Sequence, residues 1–146
     1  MTHATVEIRD MRPADGAHLR AIQRAVMDHP SPQLLTAAID GLGISLVAVS
    51  DRPVGYVFAL VGEGTAYVPE IAVDPTRQRQ GIGTALLDGL LERTKAPGVD
   101  EIRLTVHADD ERAREFYRTN GFSVATRLPN YYETGSGVAI VLSRPL

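Results

Sequence analysis

A chain of 146 residues, 44% of them hydrophobic, can bury a core without staples, and with no cysteine it has no disulfide, thiolate metal site or cysteine nucleophile. A formal net charge of −3 argues against general nucleic-acid binding, whose affinity comes mainly from Lys and Arg. The start, Met1–Glu7, has neither a basic leader nor an apolar h-region, and the longest apolar runs, Leu46–Val49 and Val57–Val61, are only strand-length. A soluble cytoplasmic protein without a membrane partner is therefore expected.

The segment from Val6 to Asp10 alternates as a strand, and Arg12-Pro13-Ala14-Asp15 turns into a helix with Leu19, Ile22, Ala25 and Val26 at helical spacing. Pro30 and Pro32 break it, and Gln33 to Asp40 reads as a second, short helix before Gly41. The β-rich runs Ile44 to Val49 and Val54 to Val61 are joined by Ser50-Asp51-Arg52-Pro53, a hairpin signal. Ala66 to Val73 follows Gly62-Glu63-Gly64, so three successive antiparallel strands are expected. Within the third, Pro69 has no N–H and predicts a bulge or other irregularity.

Next comes a helix with Ile82, Leu86 and Leu90 on one stripe and Leu87 and Leu91 beside it, ending at Ala96-Pro97-Gly98. Ile102 to Val106 alternates as a strand. Asp109 or Asp110 can cap a further helix carrying Ala113, Phe116 and Tyr117, with Phe116 expected toward the core and Asn120-Gly121 as its stop. Phe122 to Thr126 and Val138 to Leu142 close the chain. No repeat or linker interrupts the reading, which is one α/β domain over residues 1–146 with the order β-α-α-β-β-β-α-β-α-β-β. The late strand–helix–strand crossover demands locally parallel pairing, so the sheet is mixed.

The most informative stretch is Gln78-Arg79-Gln80-Gly81-Ile82-Gly83-Thr84, a loop with two glycines between a strand and a helix. It aims backbone N–H groups and the positive end of a helix dipole at one spot, where phosphate groups bind, and Arg77 and Arg79 add charge. A mononucleotide P-loop needs four residues between its glycines and then a lysine; here one residue intervenes, and the chain's sole lysine is Lys95. A dinucleotide fingerprint needs Gly or Ala where this chain has Leu86.

Gln78-Arg79-Gln80-Gly81-Ile82-Gly83 resembles the pyrophosphate loop of the GCN5-related N-acetyltransferase (GNAT) family. Leu104-x-Val106 followed by Ala113-x-x-Phe116-Tyr117-x-x-x-Gly121-Phe122 is similar to its second signature, and Arg12-Pro13-Ala14-Asp15 fits its opening. The resemblance covers nearly the whole chain. It implies about seven mostly antiparallel strands, splayed between the fourth and fifth and flanked by helices, with acetyl-CoA as cosubstrate. It also places the loop from Gln78 to Thr84 on the pyrophosphate and the backbone of Ile71, Ala72 and Val73 along the cofactor. Asp110 stands where the family commonly has an Asn on the pantetheine arm, and it can accept a hydrogen bond there but not donate one.

Acetyl transfer to an amine needs a proton acceptor, a donor to the oxyanion and a proton for the leaving thiolate. The resemblance assigns the last task to Tyr117 and makes Glu70 the expected base, with His107 as the alternative. No His/Asp/Glu cluster has ligand spacing, so no metal is expected. Asn130-Tyr131-Tyr132-Glu133 is similar to the acceptor loop of ribosomal-protein alanine and other N-terminal acetyltransferases, which implies that Tyr131 and Tyr132 bind a peptide. Their bacterial form has a catalytic glutamate where this chain has Thr105. Acceptors such as a polyamine, amino acid or aminoglycoside, and a non-catalytic acyl-CoA sensor, stay open as alternatives. Dimers are common among such relatives, so a homodimer is an open expectation.

Overall fold

A computed structural model describes residues 5–95 and 98–146; the expected helix stop at Ala96 and Pro97 lies outside the described residues. The elements are β1 (Glu7–Asp10), α1 (Gly16–Val26), α2 (Pro32–Ile39), β2 (Ile44–Val49), β3 (Pro53–Gly62), β4 (Thr65–Val73), α3 (Ile82–Thr94), β5 (Glu101–His107), α4 (Glu111–Thr119), β6 (Ser123–Leu128) and β7 (Ala139–Pro145). The element order is the one the sequence predicts. The seven strands lie in the order β1-β2-β3-β4-β5-β7-β6, with β4–β5 parallel and every other neighbouring pair antiparallel.

Apolar residues cover both faces of the central strands, which explains their nearly continuous hydrophobic runs. Leu46, Ala48, Val57, Ala59, Ala66 and Val68 pack with Ile82, Leu86, Leu87 and Leu90 of α3. On the other face Val47, Tyr56, Phe58 and Ala72 meet Leu19 and Ile22 of α1 and Leu35, Ala38 and Ile39 of α2. Arg9 anchors the entry to α1, donating to both oxygens of Asp15 at 2.9 and 2.8 Å and holding that buried carboxyl below the usual carboxylate range.

Between the pairs Phe58↔Glu70 and Leu60↔Tyr67, two steps along β3 match three along β4. The extra residue falls at Val68-Pro69, so the irregularity predicted at Pro69 is a bulge, placed where the missing N–H costs no ladder bond. The bulge also inverts the odd–even alternation of faces along β4. Ala66 and Val68 point toward α3, whereas Glu70 and Ala72 lie on the side of α1 and α2.

Pairing between β4 and β5 stops after Thr65↔Glu101, Ala66↔Ile102 and Tyr67↔Arg103. Beyond that point β4 stays with β3, β5 stays with β7 along Glu101–His107, and the two half-sheets part. This is the expected splay between the fourth and fifth strands.

At the far edge β6 runs Ser123–Leu128, two residues beyond the expected Thr126, and is exposed throughout. It bulges between Val124 and Thr126, a common way to blunt an edge strand. β7 likewise extends past Leu142 to Pro145, held by pairing with β5. No helix among the described residues is long and apolar enough to cross a membrane.

Candidate active site

The glycine loop is built by two left-handed residues. Arg79 has φ +64°, Gly81 has φ +82°, and Gly81 is the N-cap of α3. Ala85 N–H returns to Gly81 O at 3.0 Å, and no side chain caps the helix. The first amides of α3, at Ile82, Gly83 and Thr84, therefore lack partners within the helix and face the loop's concavity. Asp74 braces the approach by accepting from Thr76 N–H at 2.9 Å and from Thr76 Oγ1 at 2.8 Å. Of the two arginines expected to charge the loop, Arg77 is paired with Asp51 at 2.8 Å, while the exposed Arg79 has no ion pair among the described residues.

The splay supplies the second half of the site. Asp74 N–H donates to Val54 O at 2.8 Å, so the alternation of an antiparallel ladder turns the amides of Ala72 and Glu70 toward β3. Those of Ile71 and Val73 face the opened edge. Gln78 Nε2 donates to Val73 O at 3.2 Å, tying the loop to that edge. Free backbone N–H groups thus lie at both ends of the loop, on the β4 edge and at the start of α3.

Tyr117 lies in the core cluster, edge-on to Phe116 and Phe122 with ring centroids 5.1 and 5.5 Å away. The expectation that Phe116 takes the core position is reversed. Phe116 is half-buried and sits over Gly83, where an added Cβ would come within 2.9 Å of its ring, so the first turn of α3 and the helix carrying Tyr117 touch. The Tyr117 hydroxyl makes no hydrogen bond among the described residues. No fully buried polar side-chain atom lacks one there, so that oxygen is the part of Tyr117 still open to solvent. Burial, then the charge of Asp110, pushes its pKa up, which keeps the hydroxyl protonated at neutral pH. Asp110 itself is the N-cap of α4, accepting from Ala113 N–H at 3.0 Å.

Glu70 is placed otherwise than a free base would be. It is 3% exposed, and its carboxylate accepts from Gln23 Nε2 at 2.9 Å, Tyr56 Oη at 2.8 Å and Ser31 N–H at 2.7 Å. Both oxygens are committed, and burial together with Glu70's charge raises the Tyr56 pKa far above its ordinary value. His107 is committed as well. Asp109 N–H donates to Nδ1 at 3.1 Å, so the proton must sit on Nε2, which donates to Thr134 O at 2.8 Å.

On the same face as Glu70, Tyr67 Oη donates to Thr105 Oγ1 at 3.3 Å, across the mouth of the splay. Tyr132 stacks on His107 and meets Tyr131 edge-on, 4.8 Å away. Burial raises the Tyr132 pKa, followed by Tyr131 and Tyr67, which places these three tyrosines in one patch. Tyr67 was missed in the sequence; its signal was a tyrosine two residues before Pro69, on the strand that borders the splay.

An α/β sheet opened between a parallel pair, with an amide-lined slot running into an uncapped helix start, defines an acyltransferase fold. The model of the Acetyltransferase (GNAT) family matches residues 12–122, and the chain belongs to that family. The chain is 42% identical over 78 residues to the ribosomal protein bS18-alanine N-acetyltransferase of Escherichia coli (strain K12), a match spanning 52% of this chain and 53%, about half, of that relative. Against the Salmonella typhimurium enzyme of the same name it is 36% identical over 107 residues, 72% of each chain. The crystal structure of the E. coli ribosomal-protein-S18-alanine N-acetyltransferase superposes with a TM-score of 0.86 at 28% identity, covering 97% of this chain and 94% of that one.

Proposed function

We propose that the protein is an acetyl-CoA-dependent N-acetyltransferase whose acceptor is the free amino terminus of a peptide or protein. The observation that carries this reading is the pair of unpartnered amide sets at the two ends of the glycine loop, Ile71 and Val73 on the β4 edge and Ile82, Gly83 and Thr84 at the start of α3. The helix that carries Tyr117 packs on that start through Phe116 and Gly83. The pyrophosphate of coenzyme A suits the amides of Ile82, Gly83 and Thr84 together with Arg79. The pantetheine arm would lie along Ile71, Ala72 and Val73, with Asp110 near its thiol end.

The acceptor amine attacks the thioester carbonyl carbon, and the amides on the opened edge of β4 receive the oxyanion. As the C–S bond breaks, the sulfur takes the proton of the Tyr117 hydroxyl, which is replaced through solvent by the proton that the newly acylated nitrogen sheds. With Glu70 and His107 both committed, we assign the ammonium proton to water at the open mouth of the splay and give Glu70 a positioning role. Tyr67, Tyr131, Tyr132 and Thr105 present hydroxyls and ring faces on the acceptor side, groups that suit a peptide backbone. The relatives named for acetylating an N-terminal alanine support that choice.

The test is thiol release from acetyl-CoA with a panel of hexapeptides bearing free N-terminal alanine, spermidine, amino acids and an aminoglycoside. Turnover with the peptides alone is expected. Turnover only with spermidine or another small amine would transfer the protein to that class, and tight cofactor binding with no turnover at all would make it a sensor.

Gly81→Ala tests the loop. A side chain at φ +82° costs roughly 1–2 kcal/mol and turns the loop amides away. The acetyl-CoA KM is expected to rise severalfold, with the acceptor KM nearly constant; an unchanged cofactor KM would remove the loop from the pyrophosphate.

A further inference from the structure

Two loops meet over the acceptor side of the splay. One, residues 27–31 between α1 and α2, is pinned from beneath by Glu70 through Ser31 N–H at 2.7 Å. The other, residues 129–138 between β6 and β7, is pinned to the end of β5. Asp109 accepts from Ser136 N–H at 2.9 Å, and His107 donates to Thr134 O at 2.8 Å. Inside that loop the N–H groups of Tyr131 and Tyr132 both reach Gly137 O, at 2.8 and 3.0 Å. Each loop is therefore fixed to a different half of the parted sheet.

The Tyr132 ring is where they touch. It lies between two imidazoles, His107 at 4.7 Å with planes 12° apart and His29 at 5.2 Å with planes 19° apart. These two sides differ in freedom. Both nitrogens of His107 are bonded to its own half of the structure. His29 comes from the opposite loop, is exposed, and makes no hydrogen bond among the described residues. A ring without polar ties on an exposed loop is positioned by its stacking partner alone.

We infer that His29 is a positioning residue for the acceptor: with Tyr132 it forms a latch that joins the two loops across the mouth of the splay. Closed, the stack roofs the slot beneath which a peptide amine reaches the thioester. Opened at the His29–Tyr132 face, it admits the peptide and releases the product, while the His107 face keeps Tyr132 in place. This inference rests on the peptide-acceptor reading for its substrate and on the stacked rings for its mechanism.

Two experiments test it. With N-terminal alanine hexapeptides as probe, His29→Ala should raise the acceptor KM about fivefold to tenfold and leave kcat and the acetyl-CoA KM within about twofold. His29→Phe keeps a stacking ring and should restore the wild-type KM. An unchanged KM in His29→Ala, or no rescue by His29→Phe, would overturn the latch. The second measurement needs no turnover. The chain has no tryptophan, so His29→Trp installs a sole tryptophan on Tyr132, excited at the red edge where the five tyrosines do not absorb. Adding Tyr132→Ala should redshift that emission and increase its quenching by acrylamide, and identical spectra would sink the proposal. Failure of the acceptor reading shows differently, as no peptide turnover by the unaltered chain.

Discussion

Replacing Tyr117 with phenylalanine is expected to lower kcat by about a hundredfold or more, the range in which a positioned general acid contributes. The ring's environment makes this a clean substitution. Phe116 and Phe122 pack its edges, and a phenylalanine keeps both contacts. The hydroxyl holds up nothing, since it makes no hydrogen bond among the described residues, so the melting temperature should hold or rise slightly. Its raised pKa means that the proton is present at neutral pH, available to the sulfur as the C–S bond breaks. The acetyl-CoA KM should stay within about twofold. Steady-state thiol release and a thermal melt check all three quantities, and an unchanged kcat would take Tyr117 out of the acid role.

The second large effect is on stability. Glu70→Ala leaves the Tyr56 hydroxyl, the Gln23 amide and the Ser31 N–H without their acceptor in a buried site. Each buried donor left without an acceptor costs about 1–3 kcal/mol, so a loss of several kcal/mol and a fall of roughly 10 °C or more in melting temperature are expected. Glu70→Gln retains one oxygen but aims an amide N–H₂ at groups that already donate, and about 1–3 kcal/mol is expected. The acidic limb of the pH–rate profile should be the same in Glu70→Gln as in the unaltered chain. A displaced limb would instead return Glu70 to the role of base. Because Glu70 carries the 27–31 loop through Ser31, the acceptor KM should rise with the loss of stability.

Features written into short stretches of covalent structure were legible in the sequence. A missing N–H at Pro69 announces the bulge, and glycine at position 81 announces the left-handed turn that opens α3. The splay followed from the family pattern around the loop and around Tyr117. What escaped depends on residues far apart in the chain. Glu70 reads as a strand carboxylate among apolar neighbours; its real partners come from 47, 39 and 14 residues away, and nothing local points to them. His107 reads as free until Asp109 N–H and Thr134 O take its two nitrogens. Phe116 and Tyr117 were exchanged because helical spacing cannot tell which of two adjacent aromatics meets the core. Gly83 decides it by giving the Phe116 ring a seat.

The extra residue at Val68-Pro69 acts on the pleat as a frameshift acts on a reading frame. Every position from Glu70 to Val73 has its parity inverted relative to Thr65–Tyr67. Deleting Pro69 would remove the insertion and leave the flanking pairs in register: Glu70 still opposite Phe58, Tyr67 still opposite Leu60, and Val68 opposite Ala59. Glu70 would keep its place on the side of Tyr56 and Gln23, and Ile71 and Val73 theirs on the side of α3. What the strand would lose is the local bend and added twist that the extra residue imposes. The extra residue thus sets the angle at which β4 meets the splay, not which helix each of its side chains meets.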